Sequence, residues 1–87
     1  MATYSVFFKL SADKALKKLP TKVQQWIALA VGELAVDPRP ADSVKLEGED
    51  NLWRIRVGDY RVVYTIEDRK LVVLVVRVAH RKDVYRG

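Results

Sequence analysis

Along residues 3 to 10 (TYSVFFKL) apolar and polar positions alternate. Tyr4, Val6, Phe8 and Leu10 fall on one side, Ser5 and Lys9 on the other. A period of two predicts a strand, and Phe7 among the polar positions predicts partial cover of its second face. The period then changes. Ala12, Ala15, Leu16 and Leu19 recur at helical spacing, with Lys14, Lys17 and Lys18 on the other face. Ser11 is the expected N-cap, Asp13 suits the first turn, and Pro20 ends the helix. Thr21 and Gln24 have capping-box spacing and open a second helix. In it Val23, Trp26, Ile27, Ala30 and Leu34 form an apolar stripe, which marks Trp26 as a core residue. Asp37-Pro38 closes that helix.

Residues 39 to 50 read as a polar connection with a short extended piece from Val44 to Leu46. Alternation then returns: Leu52 to Val57 and Tyr60 to Ile66 are strands, joined by Gly58-Asp59 as a two-residue hairpin turn of Gly-X type. A turn at 67 to 70 leads to Leu71–Ala79, whose nearly unbroken apolar run predicts a central strand covered on both faces. Residues 80 to 87 are expected to form a turn or a single helical turn. The layout is an α+β fold in one domain spanning 1–87. An N-terminal strand and a helical hairpin precede a three-stranded antiparallel block. Together the strands make one small, mostly antiparallel sheet with the helices on one face. The first strand is expected at an edge, and the face carrying Arg54, Arg56 and Arg61 is expected to stay open to solvent.

Composition narrows the function. With 87 residues, 49% of them hydrophobic, the chain suits a single globular domain. It has no cysteine and one histidine, which excludes disulfides, thiolate metal sites and histidine-rich metal centres. No apolar run reaches the length of a membrane span, and the N-terminal run is too short for a signal peptide; the expected compartment is the cytoplasm, with no membrane contact. The net charge of +5 points to an acidic partner. Residues 1 to 40 hold six basic and three acidic side chains, residues 41 to 87 ten and eight, so a binding face must be assembled by folding and not by a basic tail. There is no phosphate-cradling glycine loop, carboxylate pair or metal-ligand spacing. An enzyme built on this chain is expected to need no metal or cofactor and to act on a phosphate.

The candidate chemistry lies in residues 53 to 85. Arg54 and Arg56 alternate with Trp53, Ile55 and Val57, and Arg61 sits just past the hairpin turn. A guanidinium fork matches phosphate oxygens. One arginine on a strand is most simply a solvated charge; three on one sheet face, with Arg81 beyond the last strand, favour phosphate binding. Tyr85 is a candidate for base stacking or proton exchange. Its ordinary pKa of ~10 must fall by ~3 units, or ~4 kcal/mol, for it to act as a base at neutral pH. One arginine at ~4 Å supplies about that much at an effective dielectric of ~20. His80 needs no shift, although its parity with Val76 and Val78 turns it toward the core.

The order W-R-I-R-x-G-D-Y-R-V-x-Y followed by V-x-H-R-x-D-V-Y resembles the RelE family of toxins, and the resemblance covers nearly the whole chain. It implies the toxin of a type II toxin–antitoxin system, an endoribonuclease that cuts messenger RNA in the decoding site of the ribosome and so inhibits translation. The reaction implied is attack of the ribose 2′-hydroxyl on the adjacent phosphate. By position, Arg54 and Arg56 match two basic residues, often lysine. Arg61 would stabilise the developing phosphorane charge, Arg81 would assist the leaving 5′-oxygen, and Tyr85 would orient the base or assist proton transfer. Lys82 joins Arg54, Arg56 and Arg61 as an RNA contact. The partners implied are an acidic, RelB-like antitoxin, the ribosome and messenger RNA, with operator DNA met only through the antitoxin complex. Arginine at 54 and 56 is a departure, because arginine scarcely loses its proton; the general base is then left among Tyr85, His80 and ribosomal groups. Two other readings stay open: a ParE-like toxin that inhibits DNA gyrase without cutting RNA, and an inactive RNA- or antitoxin-binding module.

Overall fold

A computed structural model of the chain describes residues 3–46, 48 and 51–80. The elements are β1 (Ser5–Phe8), α1 (Leu10–Lys17), α2 (Thr21–Leu34), β2 (Val44–Lys45), β3 (Leu52–Val57), β4 (Tyr60–Glu67) and β5 (Val72–His80). They form the expected α+β architecture: a five-stranded sheet in the order β1-β5-β4-β3-β2, with both helices on one face. β1 occupies an edge and pairs parallel with β5, Ser5 opposite Val72 and Phe8 opposite Val75; the other pairings are antiparallel. The extended piece at Val44 is β2, the opposite edge, with Val44 facing Arg54. No helix among the described residues is long and apolar enough to cross a membrane.

The core lies between helices and sheet. Ala12 of α1 and Ile27, Val31 and Leu34 of α2 meet Ile55, Val62, Tyr64, Ile66, Val73, Val75 and Val78. Alternation places the sheet residues: on β4, Val62, Tyr64 and Ile66 all point to the helices. The Tyr64 side chain is fully buried, and its hydroxyl donates to the Pro38 carbonyl at 2.7 Å. That bond gives a buried phenol a partner and pins the connection after α2 to the centre of the sheet.

Several local expectations are corrected. α1 begins at Leu10, not after Ser11. Lys9 is extended (φ −57°, ψ 144°), its N–H donates to Val75, and its carbonyl accepts from the Asp13 N–H, so the strand pairing itself sets the helix start. Leu10 therefore leaves the strand and is exposed. Gln24 forms no capping box. Its side-chain amide donates to the carbonyls of Leu19 (2.8 Å) and Lys17 (3.3 Å), tying α2 to the end of α1. Trp26 is 47% exposed, with the Lys22 ammonium 5.8 Å from its ring centroid. The buried arc of α2 runs through Ile27, Val31 and Leu34, one position round from Trp26, because that arc is the one the sheet contacts. On β5 the helix side is buried at Val73, Val75 and Val78, whereas Leu74 and Val76 are half-buried and Arg77 is exposed, so the cover expected on both faces is partial on the second.

Candidate nucleic-acid interface

The interface is set by one tight turn. Val57 and Tyr60 face each other across Gly58-Asp59, and Gly58 has the positive φ (+59°) that such a turn requires at its first position. A two-residue loop leaves no freedom of register. It places Arg56 directly opposite Arg61 and Arg54 opposite Val63. Strand pairs alternate in type outward from the hairpin, which makes Arg56 and Arg61 a non-hydrogen-bonded pair, the closer kind, with Cα atoms about 4.5 Å apart. Like charges placed this way oppose folding. Arg56 is exposed and its Nε donates to the Gly58 carbonyl at 3.1 Å, which holds the side chain along the hairpin. Arg54 is half-buried.

Arg61 departs from the expected open face, with only 8% of its surface exposed. It stands on the central strand with Arg56 on one side and Ala79 on the other, so its stem is shielded from both flanks. Partial desolvation of a guanidinium strengthens any charge interaction it makes.

A fourth arginine joins them that alternation alone conceals. The pairing of β4 with β5 slips at Val63/Tyr64: Val63 faces Arg77, but Tyr64 faces Val75. Val76 is thus the extra residue of a β-bulge. Strict alternation from the buried Val73 and Val75 would send Arg77 into the core. The bulge reverses the parity, buries Val78 and brings Arg77 to the arginine face. Two rows result: Arg54–Val63–Arg77, and Arg56–Arg61–Ala79. With strands ~4.8 Å apart and alternate residues ~6.8 Å apart, four guanidinium-bearing positions share a patch about 10 Å wide. The only sequence signal for Arg77 was a lone charge in an otherwise apolar strand.

The other site residues are distributed differently. His80 pairs with Tyr60 in the sheet, and their rings meet edge to face, centroids 5.3 Å apart at 85°. Tyr60 packs against the core, so both rings lie on the helix side, away from the arginines. Arg81, Lys82 and Tyr85 lie outside the described residues.

A second charged cluster lies at the other end of the sheet. Arg39 grips Asp68 with two hydrogen bonds, 3.1 and 2.8 Å, while the Tyr4 hydroxyl donates to the same carboxylate at 2.7 Å. The Arg39 guanidinium also lies 5.2 Å from the centroid of the Trp53 ring. The Arg39 hydrogen bonds, then that of Tyr4, hold the Asp68 carboxyl down to about 2. Asp68 in turn raises the Tyr4 phenol and the Arg39 guanidinium above their ordinary values. Burial pushes the Tyr64 phenol up to about 12, so it stays protonated and keeps donating to Pro38. Among the described residues no three His, Cys, Asp or Glu side chains come together as metal ligands would.

Comparison with known proteins agrees over most of the chain. Residues 6–85 match the family described as the ParE toxin of the type II toxin–antitoxin system, parDE. Toxin RelG of Mycobacterium tuberculosis is 32% identical, covering 95% of this chain and 97% of its own. The mRNA interferase toxin RelE of Escherichia coli K12 is 31% identical, covering 94% and 90%. The crystal structure of the archaeal RelE–RelB complex from Pyrococcus horikoshii OT3 superposes with a TM-score of 0.81 at 32% identity, over 91% of this chain and 96% of that one.

Proposed function

The chain belongs to the RelE/ParE toxins of type II toxin–antitoxin systems, on the RelE-like side, and from that premise we propose that it is a ribosome-dependent, metal-independent endoribonuclease that cleaves messenger RNA. The observation that carries this reading is the register-locked arginine patch: Arg56 opposite Arg61, with Arg54 and Arg77 in the adjoining row. Arginines at facing cross-strand positions set two like charges side by side, and a phosphate bound there offsets their repulsion. The mRNA interferase name of the Escherichia coli relative supports the same substrate.

In the proposed reaction the ribose 2′-oxygen attacks the neighbouring phosphorus and the 5′-oxygen departs. Arg61, preorganised and partly desolvated, carries the negative charge that develops on the phosphoryl oxygens. Arg56 shares that charge, and Arg54 and Arg77 hold the chain on either side. Arg81 is assigned to the leaving oxygen, Tyr85 to proton transfer or base orientation, and Lys82 to RNA contact. His80 faces the helices, which makes it the weaker candidate for the proton at this patch. The basic chain and the RelE–RelB neighbour support an acidic antitoxin as the partner that silences the toxin.

Purified protein added to messenger RNA, once free and once threaded on stalled ribosomes, tests the reading, with cuts mapped by primer extension. Cleavage confined to ribosomes and lost in Arg61→Ala is the expected outcome. Absence of cleavage in both settings would sink it. The ParE family description supports one other reading, inhibition of DNA gyrase. Loss of supercoiling activity in a gyrase assay, with transcripts intact, would establish that reading instead.

A further inference from the structure

A cleft of ≈ 490 Å³ lies between α1 and the C-terminal end of β5. It forms because the sheet is incomplete there. β1 pairs with β5 only as far as Val75, and beyond that point the edge of β5 is met by a helix instead of a strand. Leu19 and Val78 give it an apolar floor, Tyr60 and His80 an aromatic wall, and Lys14 and Lys18 a basic rim. The two lysines are four residues apart and so share a helix face. The intervening Lys17 is bound to Asp13 at 3.0 Å, whereas Lys14 and Lys18 take part in no ion pair among the described residues. Among the described residues no carboxylate lines the cleft.

This combination is selective in its chemistry. The volume falls in the range of small-ligand sites, about 300–1,000 Å³. An apolar floor with aromatic rings suits a planar base, for which stacking is sequence-tolerant. Paired ammonium groups suit a phosphate. Ala79 connects the cleft to the arginine patch: it lines the cleft and is the cross-strand partner of Arg61. A single strand of RNA leaving the patch needs only to round the edge of β5 to reach it.

We propose that this cleft binds one nucleotide of a single-stranded RNA, its base against Tyr60 and His80 and its phosphate between Lys14 and Lys18. The assignment rests on the reading of the chain as an RNA-handling toxin, and adds a point of attachment separate from the bond that is cut. It holds the RNA on the helix side of the sheet while the arginines act on the other.

The test is NMR of the full chain, following the ring resonances of Tyr60 and His80. Adenosine 5′-monophosphate, inorganic phosphate and oligoglutamate are titrated in parallel. Saturable ring shifts with the mononucleotide alone are expected, and binding weakened about tenfold or more in K14A/K18A, the loss of a charge-assisted contact. Equal response to inorganic phosphate reduces the cleft to an anion site and overturns the assignment. A response to oligoglutamate without one to the mononucleotide gives the cleft to an acidic protein and overturns it also, as does silence with all three. Cleavage of ribosome-threaded messenger RNA is scored separately. A chain that cuts but ignores the mononucleotide loses the cleft alone. One that binds the mononucleotide at these rings but never cuts keeps the cleft and loses the nuclease.

Discussion

Arg39 and Arg56 are the same residue in two opposite settings. Arg39 faces a carboxylate, holds it with two bonds and lies over the Trp53 ring, joining the segments before β2 and β5. Arg56 faces another arginine across a tight strand pair. The first arrangement is complete within the fold. The second sets two like charges side by side, an arrangement that suits an anion. What separates the structural arginine from the functional one is therefore the residue opposite it, which the hairpin register gives for Arg56 and only the tertiary fold gives for Arg39.

The sharpest way to break this contrast is Arg61→Ala. It should lower cleavage of ribosome-bound messenger RNA by about 10²- to 10³-fold, the usual effect of removing one transition-state donor. The variant should still fold, which circular dichroism of the purified protein checks. A protein that unfolds instead would place Arg61 with the structural arginines. Tyr64→Phe addresses the opposite end. It strands the buried Pro38 carbonyl and should cost about 1–3 kcal/mol in urea unfolding while cleavage by the folded protein persists.

Arg77→Ala sharpens the contrast within the patch. Affinity for a short single-stranded RNA should fall several-fold, and the slope of log affinity against log salt should shrink by about 0.7, one phosphate contact. An unchanged slope would remove Arg77 from the patch. The smallest effect is expected at Asp68. Its carboxyl is held at about 2, below the ~3.9 of an unfolded chain. A depressed pKa stabilises the fold above the unfolded value and ceases to do so as pH falls through the folded one. Asp68→Asn should thus lower the thermal midpoint slightly at pH 7, with the difference from the native chain closing between pH ~4 and ~2. A difference that persists below that window would place the stabilisation outside the ion pair.

Wherever one short-range rule acted alone, residue pattern and structure agree. The hairpin needed only Gly58-Asp59 and two alternating runs, so strand pairing and the opposition of Arg54, Arg56 and Arg61 to the helical side were legible from residue order. The class and layout of the fold followed from the change of period, from two to 3.6 and back. Trp26 shows where this stops. Two apolar arcs on α2 are compatible with the same spacing, and only contact with the sheet selects Ile27, Val31 and Leu34 over Trp26.

The sequence by itself determined the strand–helix–helix–strand order, the hairpin register and the presence of a basic face, because each depends on neighbours within a few residues. Tertiary structure alone decided three things. The bulge at Val76 brought Arg77 to the patch and Val78 to the core, since a bulge is a relation between two strands, and a lone charge in an apolar run does not locate it. Asp68 was given to Arg39, 29 residues away, by the folding of two connections onto one end of the sheet. The cleft beside His80 arose because β1 stops pairing at Val75 and α1, not a strand, meets the rest of the β5 edge, a contact between segments about 60 residues apart.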